Sequence, residues 1–473
     1  MTGSEPRTPA EHEATLIRRD RGTPGPRLRP GWRRRLARPG QVVVLGFLGT
    51  VTLITLLLLV PAAHESGREP SVRVALFTAT GAASGGLTLV DTPTHWSTFG
   101  EVVILAGIQL GGLGFMTSAS LLGLIVSRRL GLRTRLFAAA ETRSVGLGDV
   151  GRVVRGVAVV TVVVEAALAT VLFGRLWLGY GQAPGRAAYD AVFHAVSAFN
   201  NAGYALYSDS LVRFVADPIV ILPIAAAAIL GGLGFPVLFE LRRELRTPRS
   251  WSLHTKVTVL GFALLLASGA VAVMAFEWRN PATLGPLDVP GKVLAGVFAS
   301  TTAGTAGFNS IDYGQAEPAT LLVTDVLMFI GGGSASTAGG IKVSTFLILF
   351  FAIVAEARGE ETVNAFTRRV SPSALRQALA VALLGVAVVI TGTLTLLSVT
   401  DFTLDQVLFE VTSAFGTVGL STGITGQLPA AGQYALIALM FIGRTGPISL
   451  ASALALRQRR RLYELPEERP IVG

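Results

Sequence analysis

Apolar residues run through this chain in blocks too long for the core of a soluble domain. The runs 41–61, 153–178, 255–277 and 376–399 each match or exceed the roughly 20 residues that carry a helix across a bilayer. A second set of similar length, near 98–127, 219–241, 319–356 and 432–456, is rich in glycine. The pattern predicts an all-α membrane protein with eight full spans. Between the two members of each pair lies a short amphipathic segment and then a polar, glycine-bearing loop. Each quarter of the chain therefore reads as outer helix, short helix, loop and inner helix.

The loops repeat without gaps around Gly86, Gly203, Gly307 and Gly419, which lie 117, 104 and 112 residues apart. Six residues before each glycine stands a hydroxyl: Thr80, Ser197, Thr301 and Ser413. Two before it stands a small polar residue, Ser84, Asn201, Thr305 or Thr417, and the residue after it is Leu87, Tyr204, Phe308 or Leu420. The predicted units are 41–130, 131–250, 251–370 and 371–460, flanked by tails 1–40 and 461–473. Phe77–Ala83 has room for only two or three helical turns, so this segment enters and returns on the outer side. Irregular backbone at membrane depth is tolerated only where it is buried in protein or lines water, so four such loops predict a shared cavity arranged around a pseudo-fourfold axis.

Composition agrees: 51% of residues are hydrophobic and 15% charged, outside the range of soluble globular proteins. The first forty residues hold ten arginines among Pro, Gly and Glu, which predicts a disordered tail. The first apolar run starts at Gln41 and is too long for a cleaved signal segment. No cysteine is present, which excludes disulfides, thiolate metal sites and thiol nucleophiles. A net charge of +10 would suit nucleic acid, but its distribution points elsewhere: 31 of 40 Lys and Arg fall in the N-terminal tail and in 128–155, 242–256, 358–376 and 457–469. The positive-inside rule then puts both termini in the cytoplasm, with no nucleic-acid partner. Asp209, Asp217, Asp288, Asp312, Asp401 and Asp405 gather on the opposite face, as solvated loop residues or as a cation-attracting vestibule.

The inner helices carry the remaining signals. Leu110–Phe115 and Leu230–Phe235 share the sequence Leu-Gly-Gly-Leu-Gly-Phe, read either as close helix packing or as a hinge. In the third unit the span is interrupted by Gly331, Gly332, Gly333, Ser334, Ala335, Ser336, Thr337, Ala338, Gly339, Gly340, Ile341 and Lys342, mostly residues that disfavour helix. The helix should break there, forming a mobile gate or a cytoplasmic-side bend, and the gate is favoured because no other unit shows this composition. It is not a phosphate-binding loop, since Gly340 is followed by Ile341 rather than by Lys and a hydroxyl residue. The position matching Gly112, Gly232 and Gly332 is Arg444 in the fourth unit. A buried arginine costs about 2.5–3.5 kcal/mol on insertion scales, which argues for a task below the loops, either as a barrier to cations or as a partner of a carboxylate. Glu101, Glu165 and Asp325 lie within spans without an evident partner, and His12, His64, His95, His194 and His254 show no ligand spacing. No nucleophile–base or paired-carboxylate arrangement appears, so the chain is not read as an enzyme.

A cation entering a narrow pore must shed water, and rows of backbone carbonyls replace it. Glycine permits the dihedrals such a row needs, and four loops surround an ion where one does not. The short helices also aim their partially negative C-terminal ends at the cavity.

This arrangement resembles the Ktr/Trk/HKT superfamily of potassium transporters. Phe77–Thr80, Val90–Thr92, Ile108–Phe115, the Gly331–Lys342 segment and the ending Pro470–Gly473 carry the resemblance, which covers nearly the whole chain after residue 40. It implies a selectivity filter made of Ser84, Gly85 and Gly86, of Asn201, Ala202 and Gly203, of Thr305, Ala306 and Gly307, and of Thr417, Val418 and Gly419. K+ would be held by the carbonyls of Gly86, Gly203, Gly307 and Gly419, and Gly331–Lys342 with Arg444 would form the gate. It further implies a homodimer in the bacterial inner membrane, a cytoplasmic ring of separate nucleotide-binding (KtrA-like) subunits, Na+ as an activator and no organic cofactor in this chain. Only the fourth loop reads Thr-Val-Gly, so the carbonyl row is uneven, but the first loop keeps Gly86, where the superfamily associates glycine with potassium and serine with sodium. The alternatives are a secondary transporter for another small solute or a sodium-permeable cation channel.

Overall fold

The computed structural model describes residues 39–65, 69–129 and 150–456. The tails expected over 1–40 and 461–473 lie outside these, apart from Pro39 and Gly40. The described residues are mostly helical. Its elements in order are α1 (Pro39–Leu58), α2 (Val72–Ser84), α3 (Thr98–Arg129), α4 (Val150–Gly174, extended by a wider turn over Arg175–Gly179), α5 (Pro184–Phe199), α6 (Pro218–Leu233) and α7 (Phe235–Glu244). Then come α8 (Leu253–Glu277), α9 (Val289–Thr305), α10 (Pro318–Phe329), α11 (Val343–Ala357), α12 (Pro372–Leu397), α13 (Leu404–Gly416) and α14 (Ala430–Leu456).

Helix starts follow local chemistry. Asp217, Asp288 and Ser371 each stand just before a proline-containing first turn and accept a backbone N–H from Ile219, Gly291 and Ala374, at 3.0, 2.9 and 3.2 Å. Asp312 caps the Gly314 N–H in the same way at 2.9 Å, and Asp209 pairs with Arg213. Four of the six outer acids thus have structural tasks.

Among the described residues, five helices are long and apolar enough to cross a membrane, or six when α6 and α7 are taken as one span bent by 104°. Apolar side chains such as Leu56, Val163, Leu383 and Leu394 stay exposed on these helices, as expected of surfaces covered by lipid. The apolar stretch expected as the third inner span is divided into two shorter helices: α10 ends at Phe329 and α11 begins at Val343. Between them Ile330–Gly331 (β1) pairs in parallel with Ile341–Lys342 (β2). Their backbone groups are thereby satisfied without helix, as a segment at membrane depth requires.

Packing runs in a closed cycle. Each outer helix lies on the short helix that follows it: α1 on α2, α4 on α5, α8 on α9, α12 on α13. Each inner helix packs on the short helix of the next unit: α3 on α5, α6 on α9, α10 on α13, and α14 back on α2. Small residues also bring an inner helix close to the short helix of its own unit. A side chain at Gly111 on α3 would strike the backbone of Ala83 on α2, and one at Gly443 on α14 that of Phe415 on α13.

Candidate functional site

The short helices α2, α5, α9 and α13 end in the same device, a backbone hydrogen bond reaching back five residues. It joins Gly86 N to Gly81 O, Ala202 N to Ser197 O, Gly307 N to Thr302 O and Val418 N to Ser413 O, at 2.9–3.1 Å. In three of the four the residue just before the donor is left-handed, and Gly203, Gly307 and Gly419 are left-handed as well, with φ of +72°, +71° and +102°. In the first loop the left-handed glycine is Gly85, at φ +79°, one place earlier than the alignment on Gly86 suggests. The second and fourth loops add a left-handed non-glycine residue each, Asn201 at +54° and Thr417 at +51°.

The four loops touch one another in order. A β-carbon added to Gly85 would collide with the Asn201 carbonyl, and one on Gly203 would lie 2.8 Å from the Ala306 oxygen. One on Gly307 would collide with the Val418 carbonyl, and one on Gly419 would lie 3.0 Å from the Gly86 oxygen. The contacts close a ring of backbone from loop one to two, three, four and back to one. The residues expected from sequence at 84–86, 201–203, 305–307 and 417–419 are therefore brought together.

Two side chains brace this ring from behind. His194, buried on α5, accepts the Leu206 N–H at its Nε2 (3.3 Å), while its Nδ1 lies 2.7 Å from the Asp190 carbonyl. Glu410 on α13, fully buried, accepts the Thr422 N–H (2.9 Å) and the hydroxyls of Ser421 (2.6 Å) and Thr425 (2.7 Å). Both stand nine residues before the loop glycine, and both hold the N–H three residues after it. The same position is Phe77 in the first unit and Phe298 in the third, so polar struts occupy opposite quarters of the ring. Sequence reasoning passes over Glu410 and takes His194 as an ordinary helix residue. The signal was the alignment itself, in which positions nine before Gly203 and Gly419 carry a hydrogen-bond acceptor.

The segment from 331 to 342 lies against this ring. Asn201 donates from Nδ2 to Thr337 Oγ1, and a side chain on Gly339 would collide with Thr417 Oγ1. On its other side the segment is tied to α6: Gly333 N donates to Gly232 O (2.8 Å) and Thr337 N to Gly231 O (3.2 Å). Lys342 folds back and donates from Nζ to the carbonyls of Ala338 and Gly339, the latter at 3.1 Å, acting as a staple within the loop. Arg444 on α14 is buried and donates from its guanidinium to the Thr337 carbonyl.

The two glycine-rich inner helices behave differently. In the first unit α3 runs unbroken through Gly111–Gly114, whereas in the second the chain bends by 104° at Gly234, φ +88°. The 331–342 segment is thus not the sole interruption among the inner helices. Of the other span acids, Glu101 accepts the Tyr189 hydroxyl (2.6 Å), and Glu165 joins Gln109 (3.2 Å) and Asn200 (3.0 Å).

A family model described as a cation transport protein, TrkH, matches residues 41–460. The chain belongs to the TrkH cation transport family. Members of this family are membrane ion transporters, so the chain is a multi-pass membrane transport protein and not an enzyme. Among TrkH-family relatives it is 39% identical to Ktr system potassium uptake protein B of Bacillus subtilis over 90% of this chain and 94% of that one. It is 38% identical to the Vibrio alginolyticus protein of the same name (94% and 97%), and 34% identical to the potassium/sodium uptake protein NtpJ of Enterococcus hirae (93% and 98%). The crystal structure of TrkH from Vibrio parahaemolyticus shares the fold, with a TM-score of 0.66 at 17% identity over 89% of this chain and 85% of that one.

Proposed function

We propose that this chain is the potassium-translocating membrane subunit of a bacterial uptake system of the Ktr type. The observation that carries the reading is the closed ring of loops; in this proposal the carbonyls of Gly86, Gly203, Gly307 and Gly419 replace the hydration shell of K+. The C-terminal ends of α2, α5, α9 and α13 favour positive charge there. Asn201 Oδ1 and Thr417 Oγ1 are buried without a hydrogen-bond partner among the described residues, which suits a polar species at the ring. The names of the relatives at 38–39% identity support potassium as the cargo.

In this reading the chain has four pseudo-fourfold units and eight spans, counting α6–α7 and α10–α11 as one span each. It sits in the inner membrane with both termini cytoplasmic, where its basic segments collect. The Gly331–Lys342 segment is the gate and Arg444 its latch, supported by their contacts with Asn201, Thr417 and each other. The chain works as a homodimer under a ring of nucleotide-binding subunits, a reading supported by its likeness to Ktr-system proteins. Sodium enters as an activator. The name of the Enterococcus relative and the uneven loops, with Ala202 and Ala306 where the fourth has Val418, favour a second reading in which sodium also permeates.

Rubidium uptake by proteoliposomes tests the proposal. Uptake that potassium outcompetes, and that Gly307→Asp abolishes, is expected; uptake untouched by that substitution would overturn it.

A further inference from the structure

The glycines that align on the ring are needed for different reasons. Gly203, Gly307 and Gly419 have positive φ, where any β-carbon is strained, but Gly86 does not, so its backbone would accept an ordinary L residue. What excludes one is space. A β-carbon at Gly86 would collide with the Met440 sulfur and lie 3.2 Å from the Met440 Cγ. It would also lie 3.3 Å from the Ser84 hydroxyl, which is fixed by donating to the Thr80 carbonyl at 2.6 Å. Met440, on α14, has no exposed surface and shares an apolar cluster with the equally buried Phe77, Leu87 and Leu436, so its thioether has little room to retreat.

The position has a counterpart in every unit. Met440 stands four residues before Arg444, as Ile108, Ala228 and Met328 stand four before Gly112, Gly232 and Gly332, and all four are buried. Each shares an apolar cluster with the loop of the next unit around the ring: Ile108 with Ala202, Ala228 with Ala306, Met328 with Val418, and Met440 with Leu87. In the second, third and fourth loops the middle residue, Ala202, Ala306 or Val418, brings a side chain of its own to that contact. The first loop has Gly85 there and brings none. Contact is made from the helix side instead, with the Met440 sulfur against bare backbone at Gly86.

We infer that Met440 is a positioning residue for ion selection: it is the stop that fixes how far the first loop, and with it the Gly86 carbonyl, stands from the centre of the ring. On the other side that carbonyl oxygen is already 3.0 Å from the place of a β-carbon on Gly419, so the loop is held between α14 and the fourth loop. A side chain added at Gly86 pushes off the thioether and drives the carbonyl inward. A smaller residue at 440 lets the loop fall back. The two changes made together offset each other, because the added atoms occupy the space that the sulfur leaves. This inference rests on the reading of the ring as the element that selects the ion.

The test measures rubidium and sodium uptake by proteoliposomes holding the full-length protein, with thermal unfolding of the same preparations. Gly86→Ser and Met440→Ala should each lower the rubidium-to-sodium ratio by about fivefold, the scale of coupling between residues in contact, and the double variant should return to within about twofold of wild type. Met440→Leu conserves volume and should keep the ratio. If Met440→Ala does not fold, Met440→Val, which also lacks the sulfur, carries the same comparison. A wild-type ratio in the truncated variant, or a double variant whose loss is the product of the two single losses, overturns the inference and leaves the ring reading intact. Coupling seen in unfolding temperature but not in the ratio also overturns it, since Met440 would then be packing alone. Wild-type rubidium uptake that potassium does not outcompete would overturn the ring reading, and this inference with it.

Discussion

Arg444 donates a hydrogen bond to the backbone carbonyl of Thr337, 107 residues earlier, and so joins the inner helix of the last unit to the interruption in the third. The same Thr337 receives a hydrogen bond from Asn201 on the ring. A charged donor fixed on a loop carbonyl is worth about 1.5–3 kcal/mol, enough to hold a flexible segment in one place. Replacing Arg444 with Gln should therefore loosen the segment and raise rubidium flux through reconstituted protein by about tenfold, with Lys restoring part of the block. Flux equal to wild type in both variants would remove Arg444 from the gate.

The ring's glycines should differ in their tolerance. Gly307 and Gly419 have positive φ, and a side chain on either meets backbone that cannot turn aside. Gly307→Ala should lose uptake and lower the thermal unfolding temperature of the purified protein. Gly86 lacks positive φ, and its closest neighbour is the flexible Met440 side chain, so Gly86→Ser should fold and change the ratio of rubidium to sodium flux instead. Parallel flux and unfolding measurements on the two variants check this contrast.

Glu410 satisfies a backbone N–H and hydroxyls from three residues in a site with no exposed surface. Glu410→Ala strands those donors and should destabilise the protein by about 3 kcal/mol or more, read from thermal unfolding in detergent. His194→Phe mimics the first and third units and should cost less, while relaxing ion selection because the second loop loses its hold on Leu206.

Asp217, just outside α6, gives a pH dependence. Burial raises its pKa, but hydrogen bonds from Arg175 (2.7 Å), Tyr180 (2.8 Å) and the Ile219 N–H outweigh this and hold the carboxyl below its usual range. A depressed folded-state pKa means stability that is fully present above the ordinary aspartate value of about 3.9 and lost as pH falls through the lower, folded value. Unfolding temperature should therefore drop in acid below about pH 4, and Asp217→Asn should flatten that part of the curve.

Much of this was legible in the chain because repetition and composition act locally. The spacing of Gly86, Gly203, Gly307 and Gly419 placed four turns at helix ends, and the run from Gly331 to Gly340 could not stay helical. The bend at Gly234 was not legible. Leu110–Phe115 and Leu230–Phe235 have identical sequences, yet only the second breaks. There Phe235 donates its N–H to Ala335 O (3.3 Å), a partner supplied by another unit. The offset to Gly85 in the first loop and the work of Glu410 likewise depend on contacts across the fold, which residue type alone does not reveal.

The central claim is that the four loops jointly hold one monovalent cation. Anomalous diffraction from crystals grown in rubidium tests it most directly. A peak inside the ring, within coordinating distance of the carbonyls of Gly86, Gly203, Gly307 and Gly419, is the expected result. Rubidium bound only elsewhere, with the ring unoccupied at saturating salt, would contradict it.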